Sequence, residues 1–258
     1  MGHWYDKEGA PRHHEGKDGK ATTLREARKY SLYPSVTTIG QIVSKFQLTN
    51  WLQEEAAMMA VEMAAEQMDA SGCCLCASDF EREWAKTVVK ASRDKTMAKA
   101  DAGTDIHAIL EKHLNGIRVA DEHQPMCIAV VDLINEKCGE GIGWLTEERF
   151  CDTEHGYAGM CDLHDENGAW VIDFKTKDTV DKRTRGWPEQ AEQLAAYAHG
   201  LGSPNARLAN IFISREDPTQ CVWHEHKDPM AWERFRHALM LWQVSKKFGP
   251  YYEKMIAT

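Results

Sequence analysis

Residues Gly159-Met-Cys-Asp-Leu-His-Asp-Glu-Asn-Gly-Ala-Trp-Val-Ile-Asp-Phe-Lys-Thr176 read as two strands joined by a tight turn. Asn167-Gly168 is the strongest short hairpin signal, and it predicts a two-residue type I′ loop with Glu166 paired to Ala169. Counting outward equally on both strands, Asp162 falls opposite Asp173. Directly opposed residues share a sheet face, with Cβ atoms roughly 4.5–5.5 Å apart. Two facing carboxylates repel unless something positive lies between them. Lys175 stands two residues beyond Asp173 and therefore on the same face. Trp170, Ile172 and Phe174 alternate onto the other face and read as core. Two carboxylates and a lysine on one side of a hairpin predict a divalent-cation site with a cationic group beside it.

Helical patterns surround this hairpin. Residues 1–30 mix Gly, His, Lys and Asp without a period, which predicts an extended or partly ordered arm. Ile39, Ile42, Val43, Phe46 and Leu48 predict an amphipathic helix over 39–51, capped by Ser35 or Thr37. Glu54 to Met68 is rich in helix formers, and helical character resumes after Cys76 through Phe80, Trp84, Val88, Val89 and Met97. Asp101–Leu114 and Pro125–Lys137 predict two more helices. Beyond the Gly139-Glu-Gly-Ile-Gly143 break the period changes. Strands are expected at Trp144–Phe150, Tyr157–His164 and Ala169–Lys175, then a helix at Glu189–His199. Two strands (Leu208–Ser214, Gln220–His226) and a long helix from Pro229 to about Phe248 complete the pattern. A helical part, then a sheet, then helices fits α/β or α+β packing around one core, with 31–100 as a helical elaboration and 101–258 as the core.

Composition narrows the classes. The chain has 258 residues and no run near the ~18 apolar residues of a membrane span. It opens on a polar Met1-Gly-His-Trp-Tyr5 rather than a secretory signal, so a cytoplasmic protein is the default (a host cytoplasm if phage-encoded). The net charge of −9 does not advertise nucleic-acid binding. Lys175 to Arg185 is nevertheless rich in Lys and Arg. It is either a solvated loop or a basic lip for a phosphodiester substrate. The eight cysteines are expected as reduced thiols, and Cys73, Cys74 and Cys76 form the one cluster, either a metal module or small side chains between helices. Gln193 and Tyr197 share a helix face one turn beyond Gln190.

Five elements in order carry a resemblance: Gly103-Thr-Asp-Ile-His107, Glu147, Gly159-Met-Cys-Asp162, Asp173-Phe-Lys175 and Gln193-Leu-Ala-Ala-Tyr197. They resemble the PD-(D/E)XK nuclease superfamily, in its RecB-like exonuclease branch. Pro34-Ser-Val-Thr-Thr38 and the Trp51 region look like the N-terminal part of phage-type and mitochondrial genome maintenance exonucleases of that branch. The resemblance implies a restriction-endonuclease-like core with a mixed central sheet flanked by helices. It implies a metal-dependent DNA exonuclease, with Mg²⁺ or Mn²⁺ bound by His107, Asp162, Asp173 and the backbone carbonyl of Phe174. Lys175 would orient the attacking water and stabilise charge on the phosphate. Glu147 would stand near the metal, and Gln193 and Tyr197 would position the lysine or the DNA. Strict alternation from Phe150 favours Glu148 on the core face, whereas the family spacing favours Glu147. Iron–sulfur members carry a late cysteine group, and here Cys221 stands alone. No GxxxxGK[ST] sequence occurs, so unwinding would fall to a recombination or helicase partner. Trp51, Trp84 and Trp187 are core residues or base-stacking platforms. Two other readings stand beside the exonuclease: a structure-specific endonuclease on the same metal core, and a DNA-binding protein with a silent nuclease core.

Overall fold

The computed structural model describes residues 2–43, 46–71 and 82–257, so Cys73, Cys74, Cys76 and Phe80 lie outside the described residues. The chain divides into two units, 1–43 with 106–258, and 44–105. The first is built on a five-stranded sheet: β3 (Trp144–Asp152), β4 (Tyr157–Asp165), β5 (Trp170–Lys177), β6 (Arg207–Ser214) and β7 (Cys221–His226), in that spatial order. Neighbours are antiparallel except β5 and β6, which run parallel and are joined by helix α6 (Pro188–Gly200), as a parallel pair requires.

Apolar side chains leave both sheet faces. Trp170, Ile172, Phe174, Ala209, Ile211 and Ile213 pack with Val130 and Ile134 of α5 (Gln124–Cys138) and with Leu110. On the other face Phe150, Tyr157, Cys161 and Val171 meet Leu194 and Tyr197 of α6 and Phe235, Leu239 and Trp242 of α7 (Ala231–Lys246). A sheet buried on both sides explains the near-continuous apolar run of β6. The result is a mixed α/β unit in which helices flank a mixed sheet.

The arm expected at residues 1–30 is folded, not extended. Strand β1 (Trp4–Tyr5) pairs with β2 (Tyr33–Pro34), and Trp4 is buried against Trp242 and Phe248. Between them runs α1 (Leu24–Tyr30), opened by a Thr23–Glu26 capping box. One buried aromatic outweighs the local lack of period, which is why composition misread this segment. Ser35 does cap a helix, accepting from Thr38 N–H at 3.0 Å, but that helix, α2 (Val36–Gly40), is five residues long. The helix expected over 39–51 is thus replaced by α2 and the start of α3 (Phe46–Ser71).

In the second unit α3 covers the predicted 54–68 helix. The two helices expected across 82–114 form one, α4 (Arg82–Leu114), whose residues from Ile106 onward belong to the first unit. No proline interrupts it, and a single interior glycine such as Gly103 costs only about 1 kcal/mol. Glu62 of α3 and Lys95 of α4 form an exposed ion pair within the second unit.

The β4–β5 turn differs from the predicted type while keeping its register. Leu163 pairs with Ile172 and His164 with Val171, the registration the sequence predicts. Asn167, however, does not take a positive φ; Gly168 alone does, at +73°. The loop is four residues, 166–169, closed by Gly168 N–H donating to the Asp165 carbonyl. Asp165, 3% exposed, also accepts from Asn167 N–H (2.9 Å) and Ala169 N–H (3.1 Å) through its carboxylate. This Asx-type capping favours the longer loop. Two- and four-residue loops share the same centre, so register survives the change of turn.

Asp165→Ala removes the carboxylate that accepts from the Asn167 and Ala169 N–H groups of the turn, which sit near the surface. It is expected to lower the urea midpoint by the equivalent of about 1 kcal/mol, with unchanged m-value, in equilibrium unfolding followed by circular dichroism.

Candidate functional site

Asp173 stands in mid-strand on β5, 3% exposed, with its carboxylate bound from three elements. Lys175 Nζ of the same strand lies 2.5 Å from Oδ2. Asn210 of β6, registered opposite Asp173, donates Nδ2 to Oδ2 at 2.8 Å and to the Asp173 backbone oxygen at 3.0 Å. Gln193 of α6 donates to Oδ1 at 3.3 Å and to Tyr197 Oη at 2.7 Å. The i,i+4 spacing of Gln193 and Tyr197 is what lets the two meet.

Asp162 sits where β4 leaves β5. The pairs found between the strands reach only as far as Leu163 with Ile172, and beyond them the Asp162 side chain takes over from the backbone. Its Oδ2 accepts from Phe174 N–H at 2.8 Å and lies 3.3 Å from His107 Nδ1. His107 also packs edge-on against the Phe174 ring and hydrogen-bonds its backbone.

Opposite Asp162 in register stands Glu147, between the pairs Thr146–Leu163 and Glu148–Cys161. Its φ is +49°, the left-handed region that non-glycine residues rarely occupy. Trp144 and Leu163 pack on the α5 face, whereas Phe150 and Cys161 pack on the α6 face. The strands therefore change faces here, and alternation counted back from Phe150 fails at Glu147. Strain of this kind accumulates at functional sites.

The electrostatics follow from burial. Burial first, then Asp173 and Glu147, push the Asp162 carboxyl well above its usual range, against Lys175 and the Phe174 N–H. Burial pulls the Lys175 ammonium down, but Asp173 and Asp162 outweigh it, so its pKa is raised and it stays charged. Burial lowers His107, against Asp173, leaving a neutral imidazole at neutral pH. Burial and Glu111 raise Glu147.

The sequence-predicted residues His107, Glu147, Asp162, Asp173, Phe174, Lys175, Gln193 and Tyr197 thus belong to one contiguous neighbourhood. Among the described residues, no group of three or more His, Cys, Asp or Glu side chains is set to hold a metal ion. His107 leans on Asp162, and Lys175 on Asp173. The donor chemistry nonetheless fits a hard divalent cation. The buried Asp173 and the largely buried Asp162 share one nearby ammonium, a neutral imidazole adjoins Asp162, and burial, then Asp173, drives the Asp162 carboxyl toward protonation.

Lys175–Arg185 divides. Lys177 lies over the Phe212 ring, and Asp178 pairs with Arg215 at 2.7 Å. Lys182, Arg183 and Arg185 are exposed. Trp187 is 39% exposed, and its backbone N–H donates to Gln190 Oε1. Trp51 and Trp84 are partly buried in the second unit. Sequence reasoning missed Asn210 and His226. The available signal was a lone amide inside the apolar Leu208-Ala-Asn-Ile-Phe-Ile213.

No family model matches the chain, and no curated protein matches it.

His226 Nε2 lies 2.7 Å from Asn210 Oδ1. Burial, aided by His224 and opposed by Asp173 and Asp228, lowers its pKa to about 4. An unfolded histidine titrates near ~6.5, so between those values the unfolded chain binds more protons. The stability contributed by neutral His226 is full above the unfolded value and is lost as pH falls through the window toward 4. His226→Gln is expected to flatten the fall of unfolding free energy between pH 6.5 and 4, measured by urea titration at several pH values.

Proposed function

We propose that this chain is a divalent-metal-dependent deoxyribonuclease that hydrolyses phosphodiester bonds from a DNA end. The fold reading behind the proposal is a restriction-endonuclease-like core of the RecB-like branch. The observation that supports it most is the convergence of Asp162, Asp173, Lys175 and His107 where β4 parts from β5. Asp173 touches Lys175 directly, and Asp162 touches His107. A surface salt-bridge cluster would not explain a buried and a largely buried acid beside one another at an interrupted ladder.

Asp162, Asp173, His107 and the Phe174 carbonyl would hold Mg²⁺ or Mn²⁺, the imidazole nitrogen tilting the preference toward Mn²⁺. When bound, such an ion supplies Lewis-acid neutralisation of phosphate charge and a water of lowered pKa.

The chain's own residues do the rest. Lys175 stays protonated at neutral pH, so its role is to orient water and to stabilise the negative charge that builds on the phosphorane oxygens. Gln193 and Tyr197 hold Asp173 in place from α6. Burial and Asp173 raise the Tyr197 pKa, so the phenol keeps its proton and acts as a hydrogen-bonding group, not a base. The exposed Lys182, Arg183 and Arg185 offer phosphate contacts on the segment that leads from β5 to α6.

The decisive assay is digestion of end-labelled single- and double-stranded DNA, with and without Mn²⁺. Wild-type protein is expected to release nucleotides only with metal and to spare circular single strands; cutting of circles would replace the exonuclease by an endonuclease. Asp173→Asn is expected to lose activity by about 10³-fold or more while DNA retention in a filter assay persists. Lys175→Ala is expected to lose about 10²–10³-fold in kcat with little change in KM for DNA. Wild-type protein that cuts no form of DNA with either metal would leave only the silent DNA-binding reading.

A further inference from the structure

Asn210 is fully buried in the middle of β6, where each flanking side chain is apolar. Its Nδ2 is committed twice to Asp173, to the carboxylate and to the backbone oxygen. That commitment fixes the amide: Oδ1 must accept, and its neighbour is His226 Nε2. His226 therefore carries its proton on Nε2. The imidazole is itself held, edge-on to His224 with ring centroids 4.6 Å apart. Gly186 makes the room on its other side, since a Cβ there would lie 2.5 Å from His226 Cε1. A chain of hydrogen bonds thus runs across three strands, from His226 on β7 through Asn210 on β6 to Asp173 on β5.

An amide in mid-strand is a poor choice for stability alone, because an apolar residue of similar volume buries without needing partners. The pair has a use if the orientation of Asp173 matters. Lys175, on its long flexible stem, holds Oδ2 without fixing the carboxylate's rotation, and Gln193 reaches Oδ1 only at 3.3 Å. Asn210 grips both Oδ2 and the main chain behind it, and so locks the rotamer.

We infer that Asn210 and His226 are positioning residues that orient Asp173 for metal binding and hydrolysis, an inference that rests on the nuclease reading above. Outer groups that orient metal ligands are commonly worth about 10–100-fold in affinity or activity.

The test compares wild type, Asn210→Ala, His226→Leu and His226→Gln as full chains. The readouts are Mn²⁺ binding by electron paramagnetic resonance titration, kcat and KM on end-labelled DNA, and thermal melting. Asn210→Ala is expected to weaken Mn²⁺ binding by about 10–100-fold and to lower kcat at saturating Mn²⁺, with KM for DNA unchanged. His226→Leu is expected to shift the same two quantities in the same direction. The Gln amide keeps an N–H donor for Asn210 Oδ1, so His226→Gln is expected to recover most of what His226→Leu loses.

A folded Asn210→Ala that binds Mn²⁺ and cuts DNA as wild type does would overturn the inference while the nuclease reading stands. Equal losses in His226→Leu and His226→Gln, tracking their melting temperatures, would assign the pair to packing and also overturn it. If Asn210→Ala does not fold, the two His226 variants carry the comparison. Wild-type protein that neither binds Mn²⁺ nor cuts DNA would remove the nuclease reading and this inference together.

Discussion

A charged carboxylate inside a sheet must be matched from every side, and Asp173 imposes that demand on the elements around it. Lys175 answers from its own strand, Asn210 from the parallel neighbour and Gln193 from the crossover helix. These three donors tie β5, β6 and α6 to one atom group. The parallel β5–β6 pair needs α6 as its connection in any case. The carboxylate adds a reason for that helix to sit with Gln193 and Tyr197 turned toward the sheet.

The second acid works by a different route. Asp162 gives Phe174 N–H a side-chain acceptor where a backbone carbonyl would otherwise serve. The ladder can then open without leaving a buried donor unpaired. Across β4, Glu147 adopts a left-handed backbone, and both strands exchange the faces they present to the two helical layers. The interrupted ladder and the clustered acids are one feature: regular pairing would have kept alternation strict.

Much of this was readable in the chain. The Asn167-Gly168 centre, the apolar alternation of Trp170, Ile172 and Phe174, and the spacing of Asp173 and Lys175 are local patterns, and local patterns survive tertiary packing. The loop type did not follow, because the buried Asp165 carboxylate supplied hydrogen bonds that propensity alone does not weigh. The N-terminal segment was misjudged for a similar reason: Trp4 gains its burial from Trp242 and Phe248, more than two hundred residues away. Asn210 and His226 were invisible, since a single amide in an apolar run has no meaning until its register partner is known.

The order of polar and apolar residues settled, before any coordinates, which side chains of β5 face the acids and which face the core, because side-chain alternation is a property of the backbone wherever a strand runs regularly. It settled the registration of β4 on β5 at Leu163 and Ile172 as well, since the turn centre does not depend on turn type. The folded chain settled what lies between strands distant in sequence: the grip of Asn210 on Asp173, the left-handed turn of Glu147 and the approach of His107 to Asp162. Those depend on burial and on partners brought together by packing, and neither quantity is written in any local stretch of residues.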